Sequence, residues 1–316
     1  MINIIFHHGS VPDMLKVGLL TPVFKNKGDK NCATNYRGIT VLPVINKIIE
    51  AILKQRINPA VVTTQNRAQR GFTEGASPMN SALPVEEIYR ESKDNNTECE
   101  LVLLDAKSTF DVVIHNYLMR RVFHIGIHDN QWSLINSMHQ NVTSAIKWEG
   151  KISVQFPVTQ GVCQGGIQSA DLCKLYINPL LERLENSHIG SRIGNILCNA
   201  SACADDIALN RTESDMQIQI NMAQDFAGME GYKLQPKKSV SIHIRPVKTR
   251  ALDKVPFMLG TEEMPMVENA THLGIIRTGS LKQNVTQNVE ENIKKARRSA
   301  YAPLGNGFHG ENGLDP

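Results

Sequence analysis

Long apolar runs are absent from this chain of 316 residues. A membrane-spanning helix needs roughly 20 consecutive apolar residues. The best candidate, VLPVINKIIEAIL from Val41, is interrupted by Lys47 and Glu50. The first residues, MINIIFHHGSVPD, also lack the basic start and the small-residue cleavage site of a secretion signal. We therefore expect an intracellular protein without a membrane segment.

The six cysteines lack the spacing of a zinc site. None forms a CxxC pair and none stands near a spaced pair of histidines, which are the patterns that structural zinc uses. Free thiols in a reducing compartment are the simpler expectation. Internal repeats and low-complexity tracts are absent too, and the length predicts one large or two modest folding units.

A large net charge is also missing, because the chain carries only +3. The charge is unevenly distributed, with +5 over residues 1–93, −7 over residues 94–230 and +7 over residues 231–301. An acidic middle between two basic flanks suits an enzyme that grips a polyanion and holds divalent metal centrally. Ordinary solvated helix faces would produce the same pattern.

Strand and helix patterns are mixed, without the regular alternation of βαβ units. A short apolar run ends at Asp105, and TSAIKWEGKISVQFPVT predicts a hairpin that turns at Glu149-Gly150. This mixture favours an α+β domain with an antiparallel sheet. Further elements are predicted as strands at 17–25, 37–42 and 272–276 and as helices at 43–57, 129–140, 167–186 and 285–302, with Asp129 as an N-cap.

Three aspartates stand where apolar strands end. Asp205 and Asp206 lie between two apolar runs in ACADDIAL, and Asp105 ends LVLLD. Two carboxylates about 4 Å apart repel by roughly 4 kcal/mol at an effective dielectric constant of about 20, so such a pair needs a cation or a turn. Acidic strand ends that meet at one sheet edge would hold two Mg²⁺ ions for phosphoryl transfer. An Asp-Asp hairpin turn is the alternative.

Further motifs follow one another over about residues 10–300. In chain order they are NYRGI, QRGF, LVLLDAKSTFD, QGVCQGGIQSADL, ACADDIAL, GYKLQPKKS and HLGI. Together they resemble the motifs of the reverse transcriptases encoded by non-LTR (LINE-type) retrotransposons. The resemblance implies a right-hand polymerase fold, with fingers at 1–95 and 116–159, a palm core within 96–276 that carries the antiparallel sheet, and the start of a thumb at 277–316.

The same resemblance implies an RNA-directed DNA polymerase that copies RNA into DNA by two-metal phosphoryl transfer. Its expected partners are an RNA template, a DNA primer and deoxynucleoside triphosphates, and its oligomeric state is left unassigned. Asp105, Asp205 and Asp206 take the catalytic positions that hold two Mg²⁺ ions. The positions implied for nucleotide binding are Arg37 on the triphosphate, Phe110 as the steric gate against a 2′-hydroxyl, Gln164 and Gly165 beside the nucleotide and template base, and Lys238 at the leaving pyrophosphate.

Several of these assignments have alternatives. A core phenylalanine is the alternative for Phe110, Lys25 is a weaker candidate for the triphosphate, and Lys237 makes the register at Lys238 ambiguous. Asp111 is expected to orient the structure rather than to bind metal.

The chain also departs from the family pattern at several positions. Cys203 replaces an aromatic residue, Cys163 an arginine and Gln235 an asparagine. Other departures are at Gln168, Ala170 and Cys173. They leave open a second hypothesis, a catalytically inactive, decayed retrotransposon fragment that only binds nucleic acid.

Overall fold

The structure is a computed structural model that describes residues 1–211, 213–245 and 255–305. Within them, the helices are α1 (Ile2–His8), α2 (Val44–Thr64), α3 (Pro78–Asp94), α4 (His115–His124), α5 (Asp129–His139), α6 (Ser169–Asn186), α7 (Glu213–Glu230) and α8 (Leu281–Gly305). No helix in these ranges has the length and apolar character needed to cross a membrane. All six cysteines are free thiols.

The strands of the described ranges form two main sheets and three short hairpins. They are β1 (Val17–Phe24), β2 (Tyr36–Val41), β3 (Cys99–Leu104), β4 (Thr143–Trp148), β5 (Lys151–Ile152), β6 (Phe156–Pro157), β7 (Ser191–Ile193), β8 (Ile196–Cys198), β9 (Ala200–Cys203), β10 (Asp206–Arg211), β11 (Val240–Ile244), β12 (Met258–Leu259), β13 (Glu262–Glu263), β14 (Asn269–His272) and β15 (Ile275–Thr278).

The first main sheet has the order β2-β1-β4-β5, and β6 pairs with β4. β1 and β2, which match the strands predicted at 17–25 and 37–42, form an antiparallel hairpin around the polar loop KNKGDKNCATNY. In contrast, β1 and β4 run parallel. The predicted turn at Glu149-Gly150 joins β4 to β5. This sheet is therefore mixed, because a segment from the middle of the chain joins the N-terminal hairpin.

The second main sheet is antiparallel, with the order β11-β3-β10-β9. β3 lies inside this sheet, between β11 and β10, and nearly all of its CELVLL side chains are buried. A mostly apolar strand suits this position because it is covered on both faces. Helix α6 packs beneath it and is buried along most of its length, with Tyr176 fully buried. The sheet and helix share one large hydrophobic core with α2, α4, α5 and α7.

Three sequence predictions need correction. Helix α2 does not end at Ile57 but continues to Thr64, because Ile57 and Val61 extend the buried stripe of Ile49 and Leu53. This packing overrides the breaking tendency of Pro59. Asp129 lies in the first turn of α5, where its charge favours the helix dipole, and His128 holds the cap position.

The strand predicted over residues 272–276 is interrupted by the turn of a hairpin at Leu273 and Gly274. His272 ends β14, Ile275 begins β15, and Leu273 takes a positive φ of 51° between them. Helix α8 follows this hairpin and is anchored by Asn288, whose side chain accepts a hydrogen bond from the Ile276 N–H at 2.8 Å and donates one to its carbonyl at 2.7 Å. Residues 306–316 of the predicted thumb lie outside the described residues.

Candidate active site

Sheet register brings the acidic strand ends together. In the antiparallel pairing of β3 with β10, Ile207 lies opposite Leu104, and one step further the same register places Asp206 opposite Asp105. On its other side Asp206 pairs with Cys203 of β9. Asp205 occupies the β9–β10 turn beside them. Carboxylates that are 100 residues apart in sequence thus meet at one sheet edge.

The turn that carries Asp205 is strained and is held by a buried glutamine. Ala204 adopts a left-handed φ of 59°, which costs a residue with a Cβ about 1–2 kcal/mol. Gln69 is completely buried and clamps this residue, since its Nε2 donates to the Ala204 carbonyl at 2.9 Å and its Oε1 accepts from the Ala204 N–H at 2.8 Å. Two such bonds, each worth about 0.5–1.5 kcal/mol net, offset the strain.

The segment around Gln69 packs directly on the turn. A Cβ on Gly71 would lie 2.2 Å from the Ala204 nitrogen, so only glycine allows this approach. Next to it, Phe72 has a positive φ of 49°, an exposed ring, and a carbonyl that accepts a hydrogen bond from Lys174 Nζ at 3.1 Å. The QRGF motif therefore acts as a brace between α6 and the carboxylate turn.

The carboxylates share a strongly negative environment. Burial raises the pKa of Asp205, and the charge of Asp105 raises it further. Partial loss of hydration, followed by the charges of Asp205 and Asp105, raises the pKa of Asp206 to about 6, although its side chain still reaches solvent. Burial and the two neighbouring aspartates also raise the pKa of the Cys203 thiol. A bound cation would relieve this repulsion.

The donor set suits Mg²⁺, because the ion prefers hard carboxylate oxygens at a site open to solvent. The described ranges nevertheless contain no three His, Cys, Asp or Glu side chains close enough together to hold a metal ion. One oxygen of Asp105 accepts a hydrogen bond from the Gln235 side-chain amide. In this conformation the three carboxylates interact electrostatically, but they are not close enough together to coordinate one ion.

Asp105 is tied to the segment before β11. Its N–H donates to Ser239 Oγ at 3.0 Å, and its carbonyl accepts from the Gln235 N–H at 2.9 Å. The Gln235 carbonyl in turn accepts from the Lys238 N–H at 3.1 Å. Asp105, Asp206 and Lys238 line one cleft, so the structure brings this predicted lysine to the carboxylates.

Three of the residues predicted to bind nucleotide, Phe110, Gln164 and Gly165, lie around a second junction. The Val162 N–H donates to the Phe110 carbonyl at 2.7 Å, and the Gln164 carbonyl accepts from the Thr40 N–H of β2 at 2.8 Å. Gln164 Nε2 approaches Asp111 Oδ1 at 3.4 Å. Gly165 has a φ of 114°, and a Cβ there would lie 2.9 Å from the Thr40 carbonyl. This junction joins the first sheet to the loop before α6.

Arg37 and Phe110 are placed differently from each other. Arg37 is exposed on β2, opposite Val23 of β1, and leaves its guanidinium open to a ligand. Phe110 is partly buried and packs against the large hydrophobic core. Lys25 donates a hydrogen bond from Nζ to the Thr34 carbonyl at 2.8 Å. Burial raises the pKa of Asp111, and the charge of Lys25 opposes part of this rise.

Comparison with known proteins settles the family. The family model for reverse transcriptase (RNA-dependent DNA polymerase) matches residues 24–277. The chain belongs to this family. As a reverse transcriptase domain it is 25% identical over 312 residues to the retrovirus-related Pol polyprotein from type-2 retrotransposable element R2DM of Drosophila melanogaster. That alignment covers 96% of this chain and 29% of the relative.

A second relative of the reverse transcriptase domain is the retrovirus-related Pol polyprotein from type-1 retrotransposable element R2 of Popillia japonica. It is 26% identical over 228 residues, which cover 71% of this chain and 32% of that protein. The domain thus spans about a third or less of these relatives, and it is of the non-LTR, LINE type predicted from its motifs.

A solved structure of similar fold is that of apo telomerase from Candida tropicalis, truncated from the C-terminal domain. It superposes with a TM-score of 0.56 at 14% identity, over 85% of this chain and 54% of the telomerase chain. The likeness confirms the predicted right-hand polymerase fold of the α+β class.

Two functional residues of the reverse transcriptase domain escaped the sequence analysis. Gln69 was visible only as part of QRGF, and its clamp on Ala204 depends on the fold. Glu50 of α2 is buried, and its Oε2 accepts a hydrogen bond from the Ile167 N–H at 2.9 Å while its carbonyl accepts one from Gln168 Nε2 at 3.2 Å. Burial raises its pKa. Glu50 thereby supports the loop that carries Gln164.

Proposed function

We propose that this domain is an RNA-directed DNA polymerase that extends a DNA primer on an RNA template. The observation that carries the proposal is the sheet register, which sets Asp105 opposite Asp206 and next to Asp205. In the proposed reaction a primer 3′-hydroxyl attacks the α-phosphate of a deoxynucleoside triphosphate and pyrophosphate leaves. The family membership supports it, as do the pKa values of Asp205 and Asp206, which burial and the charge of Asp105 both raise.

Asp105, Asp205 and Asp206 would hold two Mg²⁺ ions, which supply charge stabilisation of the attacking and leaving oxygens when bound. The brace formed by Gln69 holds the Asp205 turn in place during the reaction. The Gln235 amide must release the oxygen of Asp105 for this carboxylate to become a full ligand.

The remaining site residues act on the nucleotide. Arg37 presents a planar bidentate donor to the triphosphate, and Lys238, which lines the carboxylate cleft, protonates the leaving pyrophosphate. Gln164 and Gly165 border the base, and the Phe110 ring excludes a 2′-hydroxyl. Fingers at 1–95 and 116–159, a palm core within 96–276 and the start of a thumb from 277 complete the assignment.

Primer extension on an RNA template with Mg²⁺ tests the proposal. Asp205→Asn should lower the extension rate at least ~100-fold, the scale on which one electrostatic partner of a transition state acts. Asp225→Asn is the matched control, because Asp225 is an exposed aspartate on α7 of the same domain. Extension by Asp205→Asn at the wild-type rate would refute the assignment.

The competing function is nucleic-acid binding without turnover. The departures beside the carboxylates favour it, since Cys203 pairs directly with Asp206 where the family pattern has an aromatic residue. A wild-type domain that binds template and primer but never extends the primer would establish the decayed fragment.

A further inference from the structure

An apolar groove opens on one face of the first sheet, at the end where β1 and β2 are joined by their polar loop. We call it the aromatic groove. The residues that line it include Leu20, Lys30, Tyr36, Gly38, Ile146 and Trp148. Trp148 remains 45% exposed, so the groove is open to a ligand.

The aromatic groove lies on the sheet face opposite Arg37. Side chains alternate between the two faces of a strand, and Arg37 stands between Tyr36 and Gly38 on β2. The side chains of the groove therefore point away from the side to which Arg37 points. The groove is distinct from the proposed triphosphate site but belongs to the same sheet.

Two of the lining rings, Tyr36 and Trp148, continue a row of aromatic contacts that begins at Phe24. The Tyr36 ring lies 5.3 Å from Phe24 on one side and 5.3 Å from Trp148 on the other. The Tyr36 hydroxyl donates to the Lys30 carbonyl at 2.8 Å, which fixes the loop above the rings, and Lys30 Nζ lies 5.9 Å from the Phe24 centroid. Trp148 is the ring of this row that is left open for stacking.

The surroundings of the groove are basic. Lys151 pairs with Trp148 across the β4–β5 hairpin and so shares its face of the sheet. In residues 25–37 and 147–152, which form the two hairpin ends, six basic side chains face two acidic ones. Exposed aromatic rings between lysines are the arrangement by which proteins bind single-stranded nucleic acid. An apolar protein segment would gain nothing from this charge.

We propose that the aromatic groove binds the unpaired single-stranded RNA of the template before it reaches the carboxylates, with a base stacked on Trp148 and phosphates near Lys30 and Lys151. The identification of this RNA as the template rests on the proposed function. The binding itself needs no catalysis. Stacking on an aromatic ring is tolerant of sequence, because every base has a π-face.

The β4–β5 hairpin supplies a matched pair of double variants. Trp148→Ala with Lys151→Gln alters the groove face, whereas Ile152→Ala with Lys147→Gln changes one apolar side chain and one lysine in the neighbouring pair, which faces the other side of the same hairpin. We would measure the Kd for a labelled 12-nucleotide oligouridylate by fluorescence anisotropy without nucleotides. The groove variant should bind about 10-fold more weakly, and the opposite-face variant should stay within about twofold.

Primer extension separates this inference from the polymerase proposal. On a template with a one-nucleotide overhang both double variants should match wild type. On a template with a 12-nucleotide overhang the groove variant should show an about 10-fold higher KM for the primer–template with the same kcat. The single substitution Trp148→Phe should retain most of the wild-type RNA binding, because it keeps a ring on which a base can stack.

Equal Kd values for the two double variants would overturn the inference and leave a protein segment as the occupant of the groove. Equal losses of extension on both overhangs would also overturn it, since the hairpin would then serve folding or catalysis. Groove-dependent RNA binding by a wild-type domain that cannot extend a primer would refute the polymerase and keep the groove as an RNA site.

Discussion

At the scale of single residues, the site depends on side chains that touch no substrate. Ala204 holds a left-handed conformation at the carboxylate turn, and such strain persists only where the surroundings over-determine it. Here the surroundings are Gln69 and the close approach of Gly71. The placement of Asp205 is therefore controlled from a segment more than 130 residues away in sequence.

Replacing Gln69 with alanine should release the Ala204 turn and lower kcat at least ~10-fold with little change in KM, because the carboxylates lose their position while the nucleotide contacts remain. The lost buried hydrogen bonds should also cost about 1–3 kcal/mol of stability. Steady-state primer extension and denaturant unfolding measure the two effects separately.

Gln219→Ala is the control for this substitution. Gln219 is equally buried on α7, and its Nε2 donates to the Ile189 carbonyl at 2.9 Å. It should lose similar stability and keep the wild-type kcat. If the two variants lose kcat in proportion to their unfolded fraction, Gln69 is only a structural residue.

At the scale of elements, helix α8 combines a fixed start with an exposed basic surface. Asn288 fastens it to Ile276 of β15, and the side chains of Lys294, Arg297 and Arg298 are exposed. Its apolar residues Val285, Val289 and Ile293 are spaced by four and are also exposed. The helix thus extends from the β14–β15 hairpin with an exposed basic surface, which suits contact with a nucleic-acid backbone.

Changing Arg297 and Arg298 to glutamine should weaken binding of a primer–template duplex and flatten its salt dependence. Each lost phosphate contact lowers the slope of log K against log salt by about 0.7–0.9. Arg90→Gln with Arg192→Gln removes the same charge from exposed sites elsewhere and should leave the slope unchanged. A constant slope in the α8 variant would make this helix an ordinary solvated surface.

At the scale of the whole molecule, buried ionisable groups link stability to pH. Arg277 is fully buried where the β14–β15 hairpin docks on α3, paired with Glu86 and donating to the Ala82 carbonyl at 3.0 Å. His272 is buried in the same hairpin, and neither of its ring nitrogens has a hydrogen-bond partner within the described ranges. Burial, and then the charge of Arg277, lowers the pKa of His272 to about 4.

This lowered pKa makes His272 a source of acid instability. Between pH 6.5 and about 4, His272 is protonated in the unfolded chain but stays neutral in the folded state. The free energy of unfolding therefore falls as pH falls through this window. His272→Leu should flatten that fall by up to about 3 kcal/mol, measured by denaturant unfolding at pH 7 and pH 4.5. His124→Leu, at an exposed histidine, should leave the fall unchanged, and an unchanged fall in His272→Leu would contradict the assignment.

The residue pattern alone predicted the family and the positions of Asp105, Asp205 and Asp206 at strand ends, because polymerase motifs and apolar strand runs are local patterns. It also determined most elements, including β3, the β4–β5 hairpin and α6. It was wrong about the end of α2 and about residues 272–276, where burial of Val61 and a positive φ at Leu273 override local propensity.

The way in which these parts are held follows from long-range contacts of the fold. The Gln69 clamp, the bond from Gln235 to Asp105 and the aromatic groove each join segments that are far apart in sequence. Sheet register places Asp206 between Cys203 and Asp105, and no local pattern encodes a register between strands separated by 100 residues. The physical reason is that register follows from burying whole strand faces together, which the chain settles only when it folds.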